Sequence, residues 1–127
     1  MPASLDHTLV HATDAAASAR FTAEILGLGP PRRVPPFWVL DTGNGARLDY
    51  YQTDAVPHFE HYAFRVSEVE FDEIFGRLRA RGLAWSADPG ARRPGEINRQ
   101  DSGRGLYFRD PDGHLLEILT QRSGAGG

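Results

Sequence analysis

The chain has 127 residues, 40% of them hydrophobic, and a formal net charge of -3. That bounds it to a single domain over 1–127 with a real core, and excludes the basic field that nucleic-acid binding requires. It has no cysteine and all 14 of its cationic side chains are arginine, which excludes disulfides, thiolate ligands, a thiol nucleophile and a Schiff-base lysine, so any metal must sit on imidazole and carboxylate.

The first half opens on a strand near Leu5 to His11, after which Thr13 or Asp14 can cap a helix carrying Phe21, Ile25 and Leu26 on one face until Gly27 and Gly29-Pro30 stop it. Pro30-Pro31 and Pro35-Pro36 confine the next strand to an edge or a short length. Phe37 to Leu40 and Ala46 to Gln52 then read as a hairpin across Asn44-Gly45. The second half repeats the order. Glu60 to Val66 is a strand, and Ser67-Glu68-Val69-Glu70 is a capping box for a helix that turns Phe71, Ile74, Phe75 and Leu78 inward and closes at Gly82. Leu83 to Ala87 reads as a further strand. Asp88 to Arg104 has the length and the glycine and arginine content of a functional loop. Leu106 to Arg109 and His114 to Thr120 form the last hairpin around Asp110-Pro111-Asp112-Gly113, and a disordered tail is expected at 123–127. The fold class is therefore α+β, two βαβββ modules at about 4–53 and 58–122.

The halves also echo each other in their polar residues. Leu5-Asp6-His7-Thr8-Leu9-Val10 is matched by Phe59-Glu60-His61-Tyr62-Ala63-Phe64, and Asn44-Gly45-Ala46-Arg47-Leu48-Asp49 by Asp112-Gly113-His114-Leu115-Leu116-Glu117. Each acid falls four residues after the glycine of its turn, so in a strand of period two both take the same facing relative to their turns. If the halves pack about a pseudo-twofold axis, His7, His61 and Glu117 converge, and two imidazoles with a carboxylate are a facial ligand set with open positions for a divalent metal. Asp49 reads either as a fourth ligand or as a carboxylate that orients a ligand histidine.

At these residues the sequence resembles the vicinal oxygen chelate superfamily, which contains glyoxalase I, extradiol dioxygenases, metal-dependent fosfomycin transferases and bleomycin-resistance proteins. The paired modules, His61-Tyr62-Ala63-Phe64 and Tyr107-Phe108-Arg109-Asp110-Pro111-Asp112-Gly113-His114-Leu115-Leu116-Glu117 carry the resemblance. It implies a cup-shaped mixed sheet of glyoxalase type and a metal on His7, His61 and Glu117. The ion would be divalent iron, manganese, nickel, cobalt or zinc. Tyr107 resembles the tyrosine that contacts substrate in the dioxygenase and fosfomycin branches, and Tyr107 or Asp49 would move protons. Arg104, Arg99 and Asn98 are candidates to hold an anionic substrate, with Arg92 and Arg93 beside them. Phe37, Trp38 and Trp85 are candidates for a pocket wall, a core or a dimer contact.

The resemblance thus implies an enzyme that chelates two adjacent oxygens of a small substrate, with lyase, isomerase or dioxygenase chemistry. The alternative is a metal-free, drug-sequestering protein of the bleomycin-resistance type, although such a cleft has no need of His7, His61 and Glu117. The histidine that the dioxygenase signature places upstream of its tyrosine is replaced here by Asn98, Arg99 and Gln100, and the lysine of the fosfomycin branch has no counterpart. A homodimer with exchanged modules is implied, together with a small-molecule substrate and neither nucleic acid nor membrane as partner. No apolar run approaches the roughly 18 residues of a membrane span and the amino terminus lacks the marks of a signal peptide, so a cytoplasmic location is expected.

Overall fold

A computed structural model describes residues 2–124, and the chain divides into two compact units between Phe59 and Glu60. In the first unit the order is β1 (His7–Ala12), α1 (Ala15–Leu26), β2 (Arg32–Val34), β3 (Phe37–Asp41) and β4 (Arg47–Gln52). Asp14 caps α1 by accepting a hydrogen bond from the Ala17 N–H at 3.1 Å. At the other end Gly27 takes a left-handed conformation, φ 73°, which returns its N–H to the Ala23 carbonyl. The sheet order is β1-β4-β3-β2, with β1 parallel to β4 and the other pairs antiparallel. Alternation sends Val10, Ala12, Leu40, Leu48 and Tyr50 into the core with Ala19, Ala23 and Ile25 of α1, all buried. The Tyr50 hydroxyl satisfies itself there by donating to Thr22 Oγ1 at 2.7 Å. The proline-bounded β2 stays short and lies at the sheet edge, as the sequence predicts.

The second unit runs β5 (His61–Arg65), α2 (Glu68–Ala80), β6 (Gly105–Arg109) and β7 (Leu115–Leu119). The capping box forms as expected, Ser67 Oγ accepting from the Glu70 N–H at 3.0 Å and Glu70 accepting from the Ser67 N–H at 2.8 Å. The sheet order is β5-β7-β6, β5 parallel and β6 antiparallel to β7. Leu106, Phe108, Leu116 and Ile118 from the strands and Phe71, Ile74 and Leu78 from α2 are its buried apolar set.

The expected strand at 83–87 is a difference. It shrinks to single bridges of Ser86 with Tyr107 and Pro94, because its neighbours' N–H groups are taken elsewhere. The Leu83 N–H closes the end of α2 on the Leu78 carbonyl, and the Ala87 N–H goes to the Arg93 carbonyl as the chain turns. At the carboxy terminus the Gly124 N–H donates to Asp101 Oδ2 at 3.2 Å; positions 125–127 of the expected tail lie outside the described residues. No described helix is long and apolar enough to cross a membrane.

Ile118 is fully buried in β7, the central strand of the second sheet. Ile118→Ala is expected to destabilise the protein by about 2–5 kcal/mol, the transfer and cavity cost of a core truncation. Urea denaturation measures it, and an unchanged midpoint would place Ile118 outside the core.

Candidate metal centre

The register of the second sheet decides which side chains meet. Glu117 on β7 lies opposite Ala63 of β5 on one side and Tyr107 of β6 on the other, and His61 is opposite Leu115. With a side-chain period of two, His61, Tyr107 and Glu117 share the face opposite Leu116 and Ile118. His61 Nε2 lies 2.9 Å from Glu117 Oε1, with the carboxylate only 5% exposed and the imidazole 40%. Tyr107 is buried and hydrogen-bonded to Glu117, and its ring centroid is 6.0 Å from that of His61. Burial, and then the neighbouring Glu117 charge, push the Tyr107 hydroxyl up to about 12, so at neutral pH it keeps its proton and is the donor in this contact.

This pair fits a divalent ion. Two ligands at right angles around a metal, each bound at about 2.1 Å, stand about 3 Å apart, which is the separation of the two donor atoms here. A carboxylate oxygen with an imidazole nitrogen suits iron, nickel, cobalt or zinc, and Glu117 faces the histidine and a phenol. The backbone leading into His61 is fixed as well. The buried His114 accepts the Glu60 N–H on Nδ1 at 3.0 Å, while its backbone N–H donates to Asp110 Oδ1 at 2.9 Å.

The first unit repeats the register with a different outcome. His7 pairs with Arg47 and Leu9 with Asp49, the offsets that relate His61 to Leu115 and Ala63 to Glu117. Arg47 therefore stands where the second unit has Leu115, on the same face as Asp49 two residues on. Its guanidinium grips both carboxylate oxygens of Asp49, Nε to Oδ1 at 3.0 Å and Nη2 to Oδ2 at 3.3 Å. The Asp49 side chain is only 4% exposed. His7 is half-exposed and its Nδ1 lies 2.6 Å from Asp6 Oδ2. So the structure brings His61, Glu117 and Tyr107 together. Among the described residues no group of three or more histidine and acidic side chains gathers as a ligand set. The grip of Arg47 escaped the sequence reading, although its signal, an arginine and an aspartate two apart in one strand, was available.

Two of the long loop's candidates, Asn98 and Arg104, are already engaged within the fold. Asn98 is buried, exchanges backbone hydrogen bonds with Gly105 and donates its side-chain amide to the Ala87 carbonyl at 2.8 Å. Its amide lies 2.9 Å from where a Cβ on Gly105 would stand, so a larger residue there would have to displace the Asn98 side chain. Arg104 is committed to α2. It donates to Glu68 Oε1 at 2.7 Å and Asp72 Oδ1 at 2.8 Å and lies 4.3 Å over the Phe71 ring. Arg99 is exposed, and Arg93 pairs with Glu96 at 3.3 Å.

Asp88 anchors the start of this loop. Hydrogen bonds from the Ser86 hydroxyl and then from the Arg92 and Arg93 N–H groups lower its carboxyl to about 2 from the ordinary 3.8. Since the folded value is the lower one, its contribution to stability is fully present above about pH 4 and is lost as pH falls through about 2. Asp88→Asn is accordingly expected to be less stable than the parent by a constant margin above pH 4.5, a margin that closes between about pH 4 and 2. Urea midpoints against pH test this, and a margin indifferent to pH would remove Asp88 as the anchor.

A family model described as Glyoxalase/Bleomycin resistance protein/Dioxygenase superfamily matches residues 4–118. The glutathione transferase FosA of Serratia marcescens is 30% identical over 124 residues, covering 91% of this chain and 79% of that protein. The metallothiol transferase FosB of Shouchella clausii is 42% identical over 64 residues, 49% of this chain and 38% of that protein. Among solved structures, the oxidase ChaP-H1 is similar at a TM-score of 0.94 and 56% identity, covering 98% of this chain and 100% of that one.

Proposed function

The chain belongs to the Glyoxalase/Bleomycin resistance protein/Dioxygenase superfamily, and on that premise we propose that it is a divalent-metal enzyme of the vicinal oxygen chelate type that oxidises a small, oxygen-rich substrate. The observation that carries the metal is the 2.9 Å contact between His61 Nε2 and the buried Glu117 Oε1. The likeness over 98% of the chain to a protein named an oxidase supports oxidation, with dioxygen as electron acceptor, over isomerase or lyase chemistry.

His61 and Glu117 are the ligands of the second unit and His7 is the third. By resemblance to the family, the two units work as one domain in a cytoplasmic homodimer, and His7 reaches the site from a second copy of the chain. A divalent ion, when bound, supplies Lewis acidity and open positions for two adjacent oxygens of the substrate. Tyr107 keeps its proton at neutral pH and is the group placed to donate it to an oxygen held beside Glu117. Asp49, the second candidate to move protons, is already gripped by Arg47 through both carboxylate oxygens and supports the first unit's sheet face. With Arg104 held by α2 and the buried Asn98 amide held by Ala87, contact with substrate falls to Arg99 and the walls around Tyr107.

Elemental analysis of protein purified without added ions tests the reading. About one equivalent of iron per chain, with dioxygen uptake on adding a catechol, is expected. Nickel or zinc with no dioxygen uptake would replace the oxidase with an isomerase, and protein that neither carries nor binds any divalent ion would remove the metal reading altogether.

A further inference from the structure

β5 and β7 pair in parallel with His61 opposite Leu115, and just before that pair the Leu115 N–H donates to the Glu60 carbonyl at 2.9 Å. The regular parallel pattern would send the Glu60 N–H back to the carbonyl of Gly113. That carbonyl is engaged elsewhere. Gly113, at φ 94°, turns the chain out of the strand, and its carbonyl accepts from the Arg109 guanidinium at 2.9 Å. His114 fills the gap, its Nδ1 accepting the Glu60 N–H at 3.0 Å.

The imidazole that does this is held from every side. It is only 1% exposed, and the Tyr62 ring meets it edge-on, with centroids 6.1 Å apart at 77°. Its backbone is tied twice to Asp110, the His114 N–H donating to Oδ1 at 2.9 Å and the His114 carbonyl accepting from the Asp110 N–H at 3.0 Å. The residue that it fixes, Glu60, is the neighbour of His61, whose Nε2 stands 2.9 Å from Glu117 Oε1. A small rotation of the backbone at Glu60 is multiplied at the tip of the His61 ring, where a ligand pair tolerates a displacement of only about 0.5 Å.

The first unit shows the same strand ending without the prop. There the Arg47 N–H donates to the Asp6 carbonyl at 3.1 Å, but Ala46 occupies the place that His114 has in the repeat. An alanine side chain accepts nothing. The histidine of that unit turns to its neighbour, His7 Nδ1 lying 2.6 Å from Asp6 Oδ2 with the side chain 51% exposed. Resting on the metal reading above, we propose that His114 is a positioning residue of the ligand pair: by standing in for a ladder carbonyl it sets, through the Glu60 N–H, where His61 meets Glu117.

Asparagine carries its amide oxygen on Cγ, the atom that bears Nδ1 in histidine, whereas glutamine carries its oxygen one bond farther out. His114→Asn therefore keeps an acceptor at the Glu60 N–H, and His114→Gln and His114→Leu do not. In metal-free protein the Glu60 amide should exchange about tenfold faster in the Gln and Leu variants than in the parent and the Asn variant. Nuclear Overhauser contacts between the His61 and Tyr107 rings, whose centroids are 6.0 Å apart, should weaken in the same two variants. Manganese affinity should fall by about tenfold or more in both and stay within about threefold of the parent in His114→Asn. A role in packing alone affects Asn and Gln alike, since each puts an amide where the ring was, so the split between them is the signature of the acceptor. Asn and Gln variants that match each other in manganese affinity would overturn the proposal, as would ring contacts that survive in His114→Leu. If the parent binds no manganese while the ring contacts still follow the acceptor, the metal reading fails and the positioning of His61 by His114 stands.

Discussion

His61→Ala and Glu117→Ala are each expected to lower affinity for manganese or iron(II) by more than 100-fold, leaving no measurable heat in a calorimetric titration, with circular dichroism unchanged. The size follows from the donor count. Changes behind the ligands cost about 10- to 100-fold, and removing a ligand atom itself must exceed that. The fold survives because both side chains lie on the sheet face opposite Leu116 and Ile118, so no core contact is lost. Glu117→Ala does leave the buried Tyr107 hydroxyl without its acceptor, a cost of about 1–3 kcal/mol. Glu117→Gln restores that contact and is the control, since it keeps the hydrogen bond but removes the charge that a cation requires. Undiminished affinity in either alanine variant sinks the assignment of the site to this pair.

The parts of the fold that were legible in the sequence are those decided within a few residues. The Ser67–Glu70 capping box, the Asp14 cap and the hairpins at Asn44-Gly45 and Asp112-Gly113 all form because the groups that satisfy the backbone are adjacent in the chain. The meeting of His61 and Glu117 is long-range, yet it was legible because the sequence states the pattern twice and strand alternation converts that repetition into a shared face. Arg104 was not legible in this way. Its partners Glu68 and Asp72 stand one helical turn apart on α2, more than thirty residues earlier, and nothing local announces that they converge on one guanidinium. The strand expected at 83–87 failed for a competitive reason: the end of α2 and the turn at Asp88 claim the N–H groups that a ladder needs, leaving Ser86 alone to pair. Asp49 shows the limit of the repeat itself. Matched register gave it the place of Glu117, and a single difference, Arg47 for Leu115, gave its carboxylate a partner that Glu117 does not have.

Mixing His7→Ala with Glu117→Ala protein, each unable to bind metal alone, is expected to restore about half the parental number of sites once the two have been dissociated and reassociated and all chains have paired as heterodimers. In an exchanged dimer each site takes His7 from one copy and His61 with Glu117 from the other, and twofold symmetry makes two such sites. Pairing the variants collects both lesions in one site and leaves the other intact. The second unit alone offers two donors at bonding separation. His7, whose side chain contacts the exposed Asp6 beside it, can be recruited at small cost, since an exposed contact of this kind contributes little. The measurement is manganese bound per heterodimer, isolated through distinct affinity tags so that parental homodimers do not count. One equivalent supports the exchanged arrangement. Heterodimers that form and bind nothing would show that His7 serves its own chain or no site at all, and single His7→Ala protein that binds metal normally would select the second of these.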